Sequence, residues 1–181
     1  MRKLTAIGAV LLLGLAVLAT AGRGQMDKSK RPSPPAKAEF KFADGKTITT
    51  DYSSPRLKGR KIYIDLAPSG KVWRVGANEA TTFVTDTDLV VGGKDVPAGS
   101  YTLFAIPDQN EWTLIISKKT GEWGIPYPGE SEDFARVEMK VSELPSPLEN
   151  FTIAYDKVGN GCTLNLEWAT VRASVEISQK K

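Results

Sequence analysis

Three features of the sequence predict an antiparallel all-β domain, a β-sandwich or jelly roll. Apolar residues alternate with polar ones at period two over about ten short segments. Turn residues recur between them roughly every 8 to 12 residues. No stretch carries the apolar period of about 3.6 residues that a long amphipathic helix needs. A closed barrel is the alternative arrangement of the same strands.

The elements follow in order from Ala38 to about Ser178. Phe40 and Phe42 alternate with Glu39 and Lys41, and Asp44-Gly45 turns the chain into Thr47 to Tyr52. Ile62, Ile64 and Leu66 alternate with Lys61, Tyr63 and Asp65 and read as a strand, with Pro68-Ser69-Gly70 leading to a short stretch, Val72 to Val75. Thr81 to Asp86 is the next strand. Leu89 to Val91 and Lys94 to Val96 flank Gly92-Gly93, the pair a two-residue hairpin prefers. Tyr101 to Ile106 is apolar on both faces, which places it inside its sheet. Trp112, Leu114 and Ile116 alternate with Thr113, Ile115 and Ser117, and Gly121 to Glu132, with Pro126, Pro128, Trp123 and Tyr127, reads as a long loop. Val137, Met139 and Val141 form one strand. Pro145 and Pro147 break the chain before Phe151, Ile153 and Tyr155, and Gly159-Asn160-Gly161 turns it into Leu164 to Trp168 and Val171 to Ile177. The expected core includes Ile64, Phe83, Leu103, Leu114, Ile153, Leu166 and Val175.

The chain has 181 residues, enough for one domain with its own core. Met1 to Ala21 reads as a secretory signal: Arg2 and Lys3 precede an apolar run from Leu4 to Leu18, and Ala19-Thr20-Ala21 gives a small-x-small cleavage pattern. The run, about 15 residues, is shorter than the roughly 20 of a spanning helix; a retained N-terminal anchor is the alternative. An exported protein, periplasmic or extracellular, is expected, with no membrane association after cleavage. Gly22 to Lys37, rich in Lys, Arg and Pro without apolar period, reads as a flexible tether.

Composition excludes several chemistries. The chain has no histidine, so imidazole acid–base work, Ser-His-Asp or Cys-His catalysis and imidazole metal sites are ruled out. Its one cysteine, Cys162, cannot form an internal disulfide and reads as a small residue after a turn. The formal charge of +3, falling to +1 without Arg2 and Lys3, gives no footprint for nucleic acid. No phosphate-cradling GxGxxG or GxxxxGK[ST] loop occurs, and Asp86-Thr87-Asp88 reads as a turn rather than a calcium loop, so neither a cofactor nor a metal is expected.

Two polar stretches interrupt the alternation. Tyr52, Ser53, Ser54 and Arg60 lie in the first, and Trp73, Arg74, Asn78, Glu79 and Thr81 in the second. Guanidinium forks suit carboxylate or phosphate, Asn and Glu suit vicinal hydroxyls, and Trp73, Trp112 or Trp123 could offer a stacking face. These residues are the candidate ligand-binding set for a polar small molecule or glycan. The alternative is structural: Arg74 pairs with Glu79 while Ser53, Ser54 and Asn78 fix turns.

The words YSSP (52–55), KGR (58–60), GKVWRVGANEATTF (70–83), VPAGSYTLFAIP (96–107) and EWTLII (111–116) resemble the DUF2911 family over roughly Ala38 to Ile177. The resemblance implies an exported bacterial protein with a β-rich domain and no assigned reaction, so it carries over no catalytic residue. The expected function is a non-enzymatic module binding a polar ligand or partner. Two other functions stay open: a hydrolase pairing Glu79 with Asp65 or Glu111 to act on glycans, and a purely structural envelope protein.

Overall fold

The computed structural model describes residues 27–181. The expected signal, Met1 to Ala21, and the first part of the tether lie outside the described residues. Nine strands follow among the described residues: β1 (Pro35–Lys41), β2 (Thr47–Ser53), β3 (Thr81–Thr85), β4 (Leu89–Val91), β5 (Lys94–Val96), β6 (Gly99–Ile106), β7 (Glu111–Ser117), β8 (Asp133–Val158) and β9 (Gly161–Gln179). Hydrogen bonds join them into one antiparallel sheet ordered β1-β2-β3-β6-β7-β8-β9-β4-β5. The all-β antiparallel class is as expected, and the pairing runs through a single sheet of nine strands.

Turn chemistry fixes the hairpins. Gly92 and Gly93 join β4 to β5 with φ of +52° and +81°, the two left-handed positions that only glycine takes without strain. β6 lies inside the sheet, between β3 and β7. Its Tyr101, Leu103 and Ala105 enter the main core, while Phe104, equally buried on the other face, meets the ring of Tyr127 at 5.1 Å from the long loop. The run apolar on both faces thus has a cover for each.

A bend gives the sheet its core. β8 and β9 pair from Lys140 to Glu143 and again from Thr152 to Val158, with register shifts on either side of Leu148. Pro145 and Pro147 fall in this interval, where they cannot donate to a ladder, so the two strands expected there form one bent strand. Opposite them, Ala169 takes a φ of +52°. Beyond the bend, the continuation of β2 runs along β8: the Leu57 amide donates to the Glu149 carbonyl at 2.9 Å, and the Phe151 amide to the Pro55 carbonyl at 2.8 Å. The Tyr52 hydroxyl accepts from the Ile153 amide at 3.1 Å, and Thr50 and Tyr155 share a hydroxyl bond of 2.6 Å. The enclosed core includes Trp73, Trp112, Phe151, Leu166 and Trp168. Each large side chain buried there stabilises the fold by about 1.5–3 kcal/mol.

Two expectations are corrected. Ile62–Leu66 is a single π-helical turn, closed by the Ala67 amide on the Ile62 carbonyl at 2.8 Å. Alternation specifies a strand only where a neighbour is available; β2 is already flanked by β1 and β3, and β6 by β3 and β7. Only Ile62 of this turn is buried, and Ile64 is 66% exposed, whereas the other six expected core residues are buried. The tether, in turn, ends earlier than its composition suggested: Pro35 to Lys37 pair with Ser53 to Asp51, and Lys28–Lys30 form a 3-10 turn.

Cys162 is 1% exposed, and burial pushes its thiol up to about 12. The thiolate needed for alkylation is therefore scarce as well as enclosed. Iodoacetamide at about pH 8 should leave the folded protein unlabelled and modify it fully in denaturant; labelling of folded protein at the rate of a free thiol would contradict this burial.

Candidate functional site

The site lies on the face of β2 and β3 that points away from the main core. Asp51 and Thr82 are cross-strand partners, so their side chains share a face, and Ser53 follows on the same face two residues along β2. They line a cleft of about 160 Å³, walled by Lys28, Arg31 and Pro35 from the N-terminal arm and by Glu79 and Ala80. No side-chain hydrogen bond or ion pair engages Asp51, Ser53 or Thr82 among the described residues, and no buried side-chain polar atom is left without a partner. The Ser53 hydroxyl, on a buried residue, therefore opens to the cleft.

The wall is built by a strained loop. Val75 and Asn78 take φ of +52° and +56°, and Gly76 takes +151°. A Cβ on Gly76 would stand 3.0 Å from the Ser53 carbonyl and 3.2 Å from Thr81 Oγ1, so the loop packs this closely to β2 only with glycine there. Thr81 Oγ1 donates back to the Val75 carbonyl at 2.5 Å. Asn78 Nδ2 donates to the Ser33 carbonyl at 2.9 Å, and the Ser54 amide to the Pro34 carbonyl at 2.9 Å. Glu79 then clasps the arm, with Arg31 Nη1 at 2.7 Å and Lys28 Nζ at 3.0 Å.

Glu79's own backbone amide, then Lys28 and Arg31, hold its carboxyl at about 2, below the ordinary 4.5. A carboxyl lowered on folding stabilises the protein above its unfolded value, and the gain disappears as pH falls through the folded one. The clasp should thus act fully above about pH 4.5 and fade towards pH 2. Glu79 is 41% exposed, so solvent screening keeps its worth below about 1 kcal/mol. Acid titration of the thermal midpoint should show Glu79→Gln slightly less stable than the wild type at neutral pH and equal to it near pH 2. A gap that widened on acidification would contradict the clasp.

The candidate set divides. Tyr52, Ser53 and Glu79 line the cleft. Trp73 does not offer a stacking face: it is buried, stacked on Trp168 at 5.9 Å, and Trp112 is buried beside it. Ser54 and Thr81 are buried too, with Ser54 Oγ donating to the Phe151 carbonyl at 2.7 Å. Arg60 is spent on its own turn, donating to the carbonyls of Leu57 at 3.0 Å and Arg56 at 2.8 Å. The Arg74–Glu79 pair does not form. Arg74 instead donates to the Trp123 carbonyl at 3.0 Å and lies 5.6 Å from the centre of the exposed Trp123 ring. Asn78 serves the arm. Lys28, Arg31, Asp51 and Thr82 escaped the sequence reading. The first two sat in an expected tether, and the other two were ordinary polar positions of alternating strands.

The fold and cleft together describe an antiparallel β-domain with a polar, solvent-open cleft on an outer sheet face. Residues 33–177 match the family described as protein of unknown function (DUF2911), and the chain belongs to that family. No curated protein and no solved structure matches the chain.

Proposed function

We propose that this protein is an exported, non-enzymatic module that binds a small polar ligand in the cleft on the outer face of β2 and β3. The observation that carries the reading is the contrast in hydrogen bonding around the cleft. Asn78, Thr81, Arg74 and Glu79 are committed to protein partners, while Asp51, Ser53 and Thr82 stand together and uncommitted on one face. Polar groups held ready in a concave site are what a polar ligand requires. Export rests on the charged start, apolar run and Ala19-Thr20-Ala21 of the sequence.

The chemistry of Glu79 argues against its serving as the general acid of a hydrolase. A glycosidase acid must keep its proton near neutral pH, which needs a raised pKa, and Glu79 is held at about 2 by its amide and two cations. Neither supposed partner lines the cleft: Asp65 accepts from the Lys61 amide at 2.8 Å, and Glu111 lies in a separate groove with Arg136 and Lys94.

A thermal-shift panel of sugars, polyols and amino acids tests the reading with the wild type and Asp51→Asn. Asp51 is exposed and makes no ion pair among the described residues, so the variant's stability without ligand should stay within about 0.5 kcal/mol of the wild type. Stabilisation by the ligand should be lost. A ligand that stabilises both proteins equally binds elsewhere, and a panel without any hit removes the proposal.

A further inference from the structure

Resting on that cleft, we propose that its ligand is a small zwitterion of the free amino acid class, with its carboxylate on Lys28 and Arg31 and its ammonium on Asp51. The charges at the two ends of the cleft are unequal. At the arm end, two cations share one carboxylate: Arg31 gives Glu79 a single bond from Nη1, and Lys28 one from Nζ. The remaining guanidinium and ammonium donors leave one positive charge in excess, in the forked form that suits a second carboxylate. At the strand end Asp51 makes no ion pair among the described residues, and Lys37 is the cation nearest to it in the pairing. Lys37 is bound to Glu39 at 3.0 Å. The cleft is therefore neutral as a whole but dipolar along its length.

A ligand of matching polarity satisfies both ends at once. An anion would leave Asp51 unmatched, and a cation would leave the arm's surplus unmatched. A neutral polyol would satisfy neither charge and rely on Ser53 and Thr82 alone. The cleft, about 160 Å³ and open to solvent, accommodates one small molecule. Ser53 and Thr82, on the same face as Asp51 and also lining the cleft, are placed to bond a polar side chain or the ligand's ammonium.

The test titrates the full chain with the free L-amino acids by calorimetry, then takes the tightest binder alongside its C-terminal amide and its deaminated acid. The amino acid should bind, and removing either charge should weaken it about tenfold, the usual cost of one charge-assisted hydrogen bond. Asp51→Asn should weaken the amino acid and its amide by a similar factor while leaving the affinity of the deaminated acid unchanged. Arg31→Gln provides a second variant acting on the carboxylate end, with circular dichroism to confirm the fold. Equal binding of the amide or the deaminated acid would overturn the zwitterion. Binding only of sugars or polyols, lost in Asp51→Asn, would keep the cleft and overturn its assignment to amino acids; no binding of any probe would remove both.

Discussion

Trp73→Ala should lower the unfolding free energy by about 3–5 kcal/mol, and the thermal midpoint by about 10 °C for a chain of this size. The indole is 8% exposed and touches three other parts of the chain. It stacks on Trp168 of β9 at 5.9 Å and 20°, and meets Phe151 of β8 edge-on at 4.9 Å and Trp112 of β7 at 6.1 Å. The backbone of Trp73 is held by two bonds to Ala105, at 2.7 and 2.8 Å, in an isolated bridge. Truncation leaves a cavity where the bent β8–β9 hairpin packs on the rest of the sheet, and the aromatic rings around it cannot all collapse into the space. Urea unfolding measures the loss. A change below about 1 kcal/mol would mean that Trp73 is not part of the core.

Gly161→Ala should be the most damaging glycine substitution, costing about 3 kcal/mol, the upper end of ordinary overpacking. A Cβ at Gly161 would lie 2.2 Å from the Ile177 carbonyl oxygen, a backbone atom that cannot swing aside. The start of β9 is thus pressed against its own end, and the cause is steric, since Gly161 has no positive φ. Gly159, two residues earlier, provides the control: its φ is +57° and a Cβ there would meet nothing within 4 Å. Gly159→Ala should cost only the left-handed penalty of about 1–2 kcal/mol. Equal denaturant midpoints for the two variants would contradict the close approach.

What could be read from the sequence was whatever depends on local chemistry. Gly92-Gly93 and Gly159-Asn160-Gly161 marked their hairpins because tight turns need left-handed residues, and Phe83, Leu103 and Leu166 marked their faces because each lies in a paired strand. Ile62 to Leu66 carries the same alternation without a partner, and nothing local distinguishes the two cases. The site was harder to read because it depends on register. Asp51 and Thr82 stand 31 positions apart and meet only through the pairing of β2 with β3. Arg60 and Asn78 drew attention as polar residues in irregular chain, yet irregular chain also has unpaired carbonyls, and these are what their donors found. Trp73 was misread for a related reason. Its neighbours Arg74 and Asn78 are polar, but the single bridge to Ala105 turns its ring inward.

Backbone amide shifts recorded during titration with the tightest-binding free amino acid test the cleft most directly, because they report where a ligand sits as well as whether it binds. The largest changes should fall at Asp51 to Ser53, at Ala80 to Thr82 and at Lys28 to Arg31, and should need about tenfold more ligand in Asp51→Asn. Changes centred on the groove around Gly92 and Gly161, or on the Trp123 loop, would place the ligand elsewhere and contradict the assignment.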